Sequence, residues 1–171
     1  MDLYTALVIG HIVGTVLGVG GATFLEVFLS KSIADKVMDD KEKDFMHTIY
    51  VFVRVGLAVS IVTGIGFLLI YWQHGQTARL LNPVLWAKLS MIAVIIINAV
   101  LLHYHKIGLY WGSALSFVSW WSALVLGTFL TNNVHFGYFT LMGFYLLSIV
   151  VGAYLLDFVR KNFFGLKPRI P

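Results

Sequence analysis

Five apolar stretches, each long enough to cross a bilayer, dictate what this chain can fold into. A spanning helix needs roughly 20 mostly apolar residues. The segments at about 3–30, 48–72, 83–105, 109–130 and 137–159 each supply that. The composition agrees: 59% of the 171 residues are hydrophobic and 12% charged, where a soluble domain is about 45–50% apolar and about 25% charged. Charges crowd instead into Lys31–Asp44, which alternates in sign and reads as a solvated extension of the first helix. A soluble globule, a disordered chain and a nucleic-acid-binding domain are excluded as classes. The net charge of +4 reflects basic residues placed between apolar spans rather than a nucleic-acid patch. There is no cysteine, so disulfides, iron–sulfur clusters, thiolate zinc sites and covalent c-type haem attachment are excluded.

The expected fold is therefore all-α: a polytopic membrane protein whose residues 1–171 form one integral membrane domain, a bundle of five transmembrane helices. The first stretch opens Met1-Asp2 without a positive leader or a small-x-small cleavage site, and reads as a retained helix rather than a signal peptide. Lys and Arg gather on cytoplasmic loops. An N-out, C-in arrangement puts Lys31, Lys36, Lys41, Lys43, Lys106, Arg160, Lys161, Lys167 and Arg169 inside and Arg79 alone outside. The expected location is a bacterial-type inner membrane. Tyr71, Trp72, Trp86, Tyr110 and Trp111 fall at span ends, where interfacial aromatics belong. Pro83 suits the first turn of its helix.

Ionisable groups inside a span are costly, and each is a functional candidate. In the first helix His11, Thr15, Gly18, Ala22 and Glu26 recur at spacings of four, three, four and four, which makes one stripe facing the interior. Gly10, Gly14 and Gly18 form a small-residue ladder beside it, open to a neighbouring helix or a flat cofactor. His11 lies about 12 Å below the outer edge, too deep for an imidazole to snorkel. Lys88 enters the third span at a similar depth. Arg54 lies about one and a half turns inside the cytoplasmic end of the second, in line with His47 and Tyr50. His103 is the better internal candidate of the pair His103/His105, because residues two apart point to different faces. His74 and His135 belong to outer loops. No H-E-x-x-H, G-x-S-x-G or phosphate-cradling glycine loop is present.

The first three helices carry a resemblance. The segments Gly10-His11-Ile12-Val13-Gly14 and Gly20-Gly21-Ala22-Thr23-Phe24-Leu25, then Phe45-Met46-His47-Thr48-Ile49-Tyr50, Thr63-Gly64-Ile65 and Trp86-x-Lys88 with a terminal His103, are similar to the HemJ-type protoporphyrinogen oxidases and the copper-resistance D-type membrane proteins. The likeness spans roughly the first 107 residues. It implies that His11 and Lys88, with His103, belong to a functional pocket and that the cofactor is haem b. His11 and His103 are the metal-ligand candidates, and Lys88 and Arg54 suit a cofactor's propionates.

Three functions stay open on the sequence. The first is a haem-b-binding redox or electron-transfer protein, exchanging electrons with a quinone, a porphyrinogen or a partner protein. The second is a small copper or metal permease or accessory using His11, Met91 and Met142. The third is a structural subunit of a respiratory membrane complex. The bilayer is a partner in all three, and a homo-oligomer is compatible with each.

Overall fold

The computed structural model describes residues 2–35, 39–132 and 134–163. They form six helices and, among the described residues, no strand: α1 (Leu3–Asp35), α2 (Asp40–Gln73), the single turn α3 (Thr77–Leu80), α4 (Pro83–His103), α5 (Leu109–Thr131) and α6 (Tyr138–Phe163). All but α3 are long and apolar enough to cross a membrane. Lys36, Lys167 and Arg169, which entered the orientation reading, lie outside the described residues.

Local chemistry sets the helix ends. Asp39-Asp40-Lys41-Glu42 is a capping box: Asp39 Oδ1 accepts the Glu42 amide at 2.7 Å, and Glu42 Oε2 accepts the Asp39 amide at 3.2 Å. The charged segment is therefore not one stalk. α1 runs on to Asp35, and α2 begins at Asp40, eight residues before the apolar run at Thr48. Asn82 caps α4 by accepting the Val84 amide at 2.9 Å, with Pro83 in the first turn. Two helices end in Schellman turns. Gly75 closes α2 at φ 63°, and His105 closes α4 at φ 54°, a left-handed position more usual for glycine.

Side-chain size decides the packing. α1 and α2 touch backbone to backbone where Gly14 and Gly18 meet Gly56 and Ser60. A Cβ on Gly14 would lie 2.7 Å from Ser60 Oγ, and one on Gly56 would lie 2.6 Å from the Gly18 amide nitrogen. α5 packs against α1, α4 and α6 and drives the buried Trp120 ring onto Gly18. The flat group that the glycine ladder accommodates is thus an indole of the chain itself. Outward, Val16, Phe24, Val62, Phe139 and Tyr154 are exposed, a surface compatible with lipid contact. Trp72, Trp86 and Trp111 are exposed at helix ends, whereas Tyr110 turns inward beneath Arg160.

Candidate functional site

Four helices meet around His11. Its Nδ1 lies 2.8 Å from Thr63 Oγ1 on α2, and its Nε2 lies 3.2 Å from Lys88 Nζ on α4. The Thr63 hydroxyl spends its one proton on the Val59 carbonyl at 2.7 Å, so toward His11 it can only accept. That assigns the ring proton to Nδ1 and leaves the Nε2 lone pair facing Lys88, which donates. Thr15, one turn along α1, donates to the His11 carbonyl at 2.8 Å. Phe67 meets the imidazole edge to face at 5.6 Å.

His11, Thr15, Ser60, Lys88, Ile92, Trp120, Ala123 and Leu124 line a small cavity of about 20 Å³. Ser60 Oγ and Trp120 Nε1, both buried on residues lining it, have no hydrogen-bond partner. Nothing acidic lines the cavity. Glu26, the acid of the α1 stripe, lies 15 residues and about 22 Å further along the helix.

His11 and Lys88 are brought together from 77 positions apart; the other candidates are not. His103 is exposed at the end of α4 against Tyr104, with ring centroids 5.1 Å apart, and lies about 22 Å along α4 from Lys88. Arg54 is exposed and folds over the Tyr50 ring at 4.4 Å. His47, His74 and His135 are also exposed. Met91 is buried in the α4–α5–α6 core, with Met142 packed against that core. Among the described residues no three His, Cys, Asp or Glu side chains are grouped to hold a metal.

These residues do not fit a haem as they are packed. Sites for drug- or cofactor-sized ligands run to about 300–1,000 Å³, against about 20 Å³ here. The Nε2 that would bind iron is engaged by Lys88. The larger cavity, about 420 Å³ between α4, α5 and α6, is lined by Met91, Phe117, Trp121, Phe129, Phe144 and other largely apolar side chains and holds no histidine.

A second buried centre lies at the other end of the stripe. Arg160 of α6, 1% exposed, pairs with Glu26, 2% exposed. Its Nε donates to Ser30 Oγ at 3.2 Å and its guanidinium stacks 3.7 Å above the Tyr110 ring. Tyr110 in turn donates to Asp157 at 3.1 Å. Counted only as a cytoplasmic charge, Arg160 conceals this role. The available signal was one acid and one base at the same ends of two apolar helices. The buried, unpaired Trp120 N–H was missed as well.

No protein-family model, curated protein or solved structure matches this chain.

Proposed function

We propose that this chain is an integral membrane protein that takes up and releases a proton at the His11–Lys88 pair. It would do so within a bundle of five spanning helices arranged N-out and C-in in a bacterial-type inner membrane. The observation that carries the reading is the 3.2 Å contact between Lys88 Nζ and His11 Nε2. Two nitrogen bases at that separation need one donor and one acceptor, so a single proton serves both facing atoms. Thr63 keeps the second ring nitrogen out of the exchange by holding Nδ1–H. Ionisable groups are costly in hydrocarbon and are kept where they work. Of the three residues that the HemJ-like resemblance implies for a pocket, His11 and Lys88 meet, whereas His103 lies apart. A redox role through haem b, or a copper role through His11 with Met91 and Met142, would require space or donors that the closed packing does not offer.

Nitrogen-15 spectra of histidine-labelled protein in nanodiscs test the proposal. The expected result is one His11 tautomer, protonated at Nδ1, whose Nε2 signal responds reversibly to pH and changes when Lys88 becomes Met. A pH-silent His11, or a Soret band in protein produced with ample haem and lost in His11→Ala, would overturn it. Orientation is read separately. Cysteines placed at Lys43 and Gln76 in this cysteine-free chain should react with an impermeant reagent from opposite sides.

A further inference from the structure

The larger cavity runs along the bundle rather than across it. Its α5 wall carries Phe117, Trp121, Val125 and Phe129, each four residues from the next. Its α6 wall carries Leu141, Tyr145 and Ser148, at spacings of four and three. Each set is one stripe of its helix, so the cavity is a slot between two facing stripes. From Phe117 to Phe129 it follows α5 for about 18 Å, against about 15 Å for the hydrocarbon of one leaflet. One end is shut where α6 presents Gly152 to α5: a Cβ there would lie 2.5 Å from Val118 Cγ2. At the other end the Phe129 and Phe136 rings lie 5.8 Å apart. Met91 of α4 closes the back, and the exposed Trp121, Val125 and Phe144 rim an opening on the outer surface of the bundle.

The polar side chains on these walls are turned away to protein partners. Trp121 Nε1 donates to Thr23 of α1 at 3.1 Å, and Ser148 donates to the Tyr145 carbonyl at 2.7 Å. The Tyr145 hydroxyl donates to Ser119 at 2.7 Å, because Ser119 spends its own proton on the Leu115 carbonyl. Ser122 is the one other polar side chain there. A polar ligand would find a single hydroxyl, and an apolar cavity does not fill with water. At about 420 Å³ the slot is the size of a ligand site, about 300–1,000 Å³. A neighbouring helix, about 10 Å across, is too wide to enter between two helices that already touch at Val118 and Gly152.

We propose that this slot holds one acyl chain of a membrane phospholipid, taken in sideways from the bilayer. Gly127 of α5 lies beside Lys88 Nζ, which sets the slot in the same half of the bundle as His11. The head group then lies beyond Phe129 and Phe136, at the level of the exposed Thr131, Asn132 and His135. The chain completes the α4–α5–α6 core, and the slot selects for the chain rather than the head group. None of this depends on proton exchange at His11.

Native mass spectrometry of the full chain, stripped of lipid in detergent and then given dioleoyl phosphatidylcholine, tests the site. Wild type should retain one phospholipid per chain under activation that removes other adducts, and dioleoyl phosphatidylglycerol should be retained equally. Ser122→Phe, which projects a ring into the slot, should lose the adduct. Val62→Phe, at a position 67% exposed on α2, should keep it. Phe144→Ala removes part of the rim without adding bulk and should weaken retention, so the outcome does not hang on the folding of the filled variant. No phospholipid on wild type, or equal retention in wild type, Ser122→Phe and Phe144→Ala, overturns the acyl-chain site. Retention of the isoprenoid alcohol farnesol in place of phospholipid, or a dimer that Ser122→Phe dissociates, overturns it in favour of another occupant.

Discussion

Both ends of the α1 stripe hold ionisable groups, buried at the Glu26 end and half-buried at the His11 end, but they satisfy them in opposite ways. At the Glu26 end, charge meets counter-charge. Arg160 is paired with Glu26, bonded to Ser30, stacked on Tyr110 and backed by the Asp157–Lys161 pair at the surface. At the His11 end two bases face each other, no acid lines the adjoining cavity, and the Trp120 N–H and Ser60 hydroxyl are buried nearby without partners. Between the two centres the stripe carries only Gly18 under Trp120 and the buried Ala22. A buried charge that is matched ties helices together. A base left unmatched has little to contribute to stability, which is why the proposed exchange is assigned to that end.

Breaking the matched end should have the largest effect on folding. Arg160→Met leaves Glu26 buried and unpaired, and removing one partner of a buried pair costs about 3–5 kcal/mol. Adding Glu26→Leu should restore most of the loss, because an apolar replacement of both partners is often neutral. Thermal unfolding of the two single variants and the double variant in detergent measures this. A double variant no more stable than Arg160→Met would mean that the pair does not act as a unit.

The partition between the two centres comes next. Gly18→Leu would push a side chain into the Trp120 ring, and overpacking a filled core costs typically about 1–3 kcal/mol. Val16→Leu, at a position 64% exposed, should be close to neutral. Equal tolerance of both would show that α5 does not press on α1 as described. At the unmatched end, Lys88→Met deprives Nε2 of its donor, for which about 1–3 kcal/mol is expected. Its larger consequence should be functional, abolishing the pH response of His11 while the protein remains folded.

What the sequence made legible followed from periodicity and hydrophobic length. Those fix the five long helices, the inward stripe of α1 and the N-terminus of α4 at Asn82-Pro83. They also show which face of α1 is small enough for a neighbour to touch. Less visible was anything that depends on which helix lies against which. His11 and Lys88 could be placed at one depth but not in one contact, since depth along two helices says nothing about their separation. Glu26 and Arg160 escaped for the same reason. Arg54 and His103 looked equivalent to Lys88 by residue type, but the rotation of α2 leaves Arg54 exposed and His103 lies exposed at the very end of α4. The charged segment misled differently: its alternating signs suggested a continuous solvated helix, whereas Asp39 and Glu42 form a box that starts a new one.

The smallest expected effect sharpens the comparison most, because it concerns the one hydrogen bond that distinguishes the two faces of His11. Thr63 accepts the Nδ1 proton only because its own hydroxyl is tied to the Val59 carbonyl. Thr63→Val keeps the branched shape and removes the acceptor, leaving Nδ1–H without its partner at a cost of about 1 kcal/mol. The ring is then free to move its proton to Nε2, where it would confront the Lys88 ammonium donor to donor. The expected outcome is a mixture of tautomers in the nitrogen-15 spectrum, with Arg160-dependent stability untouched. A Thr63→Val protein that keeps a single Nδ1–H tautomer would show that Lys88 alone orients the imidazole, and that the α2 contact is packing rather than part of the exchange site.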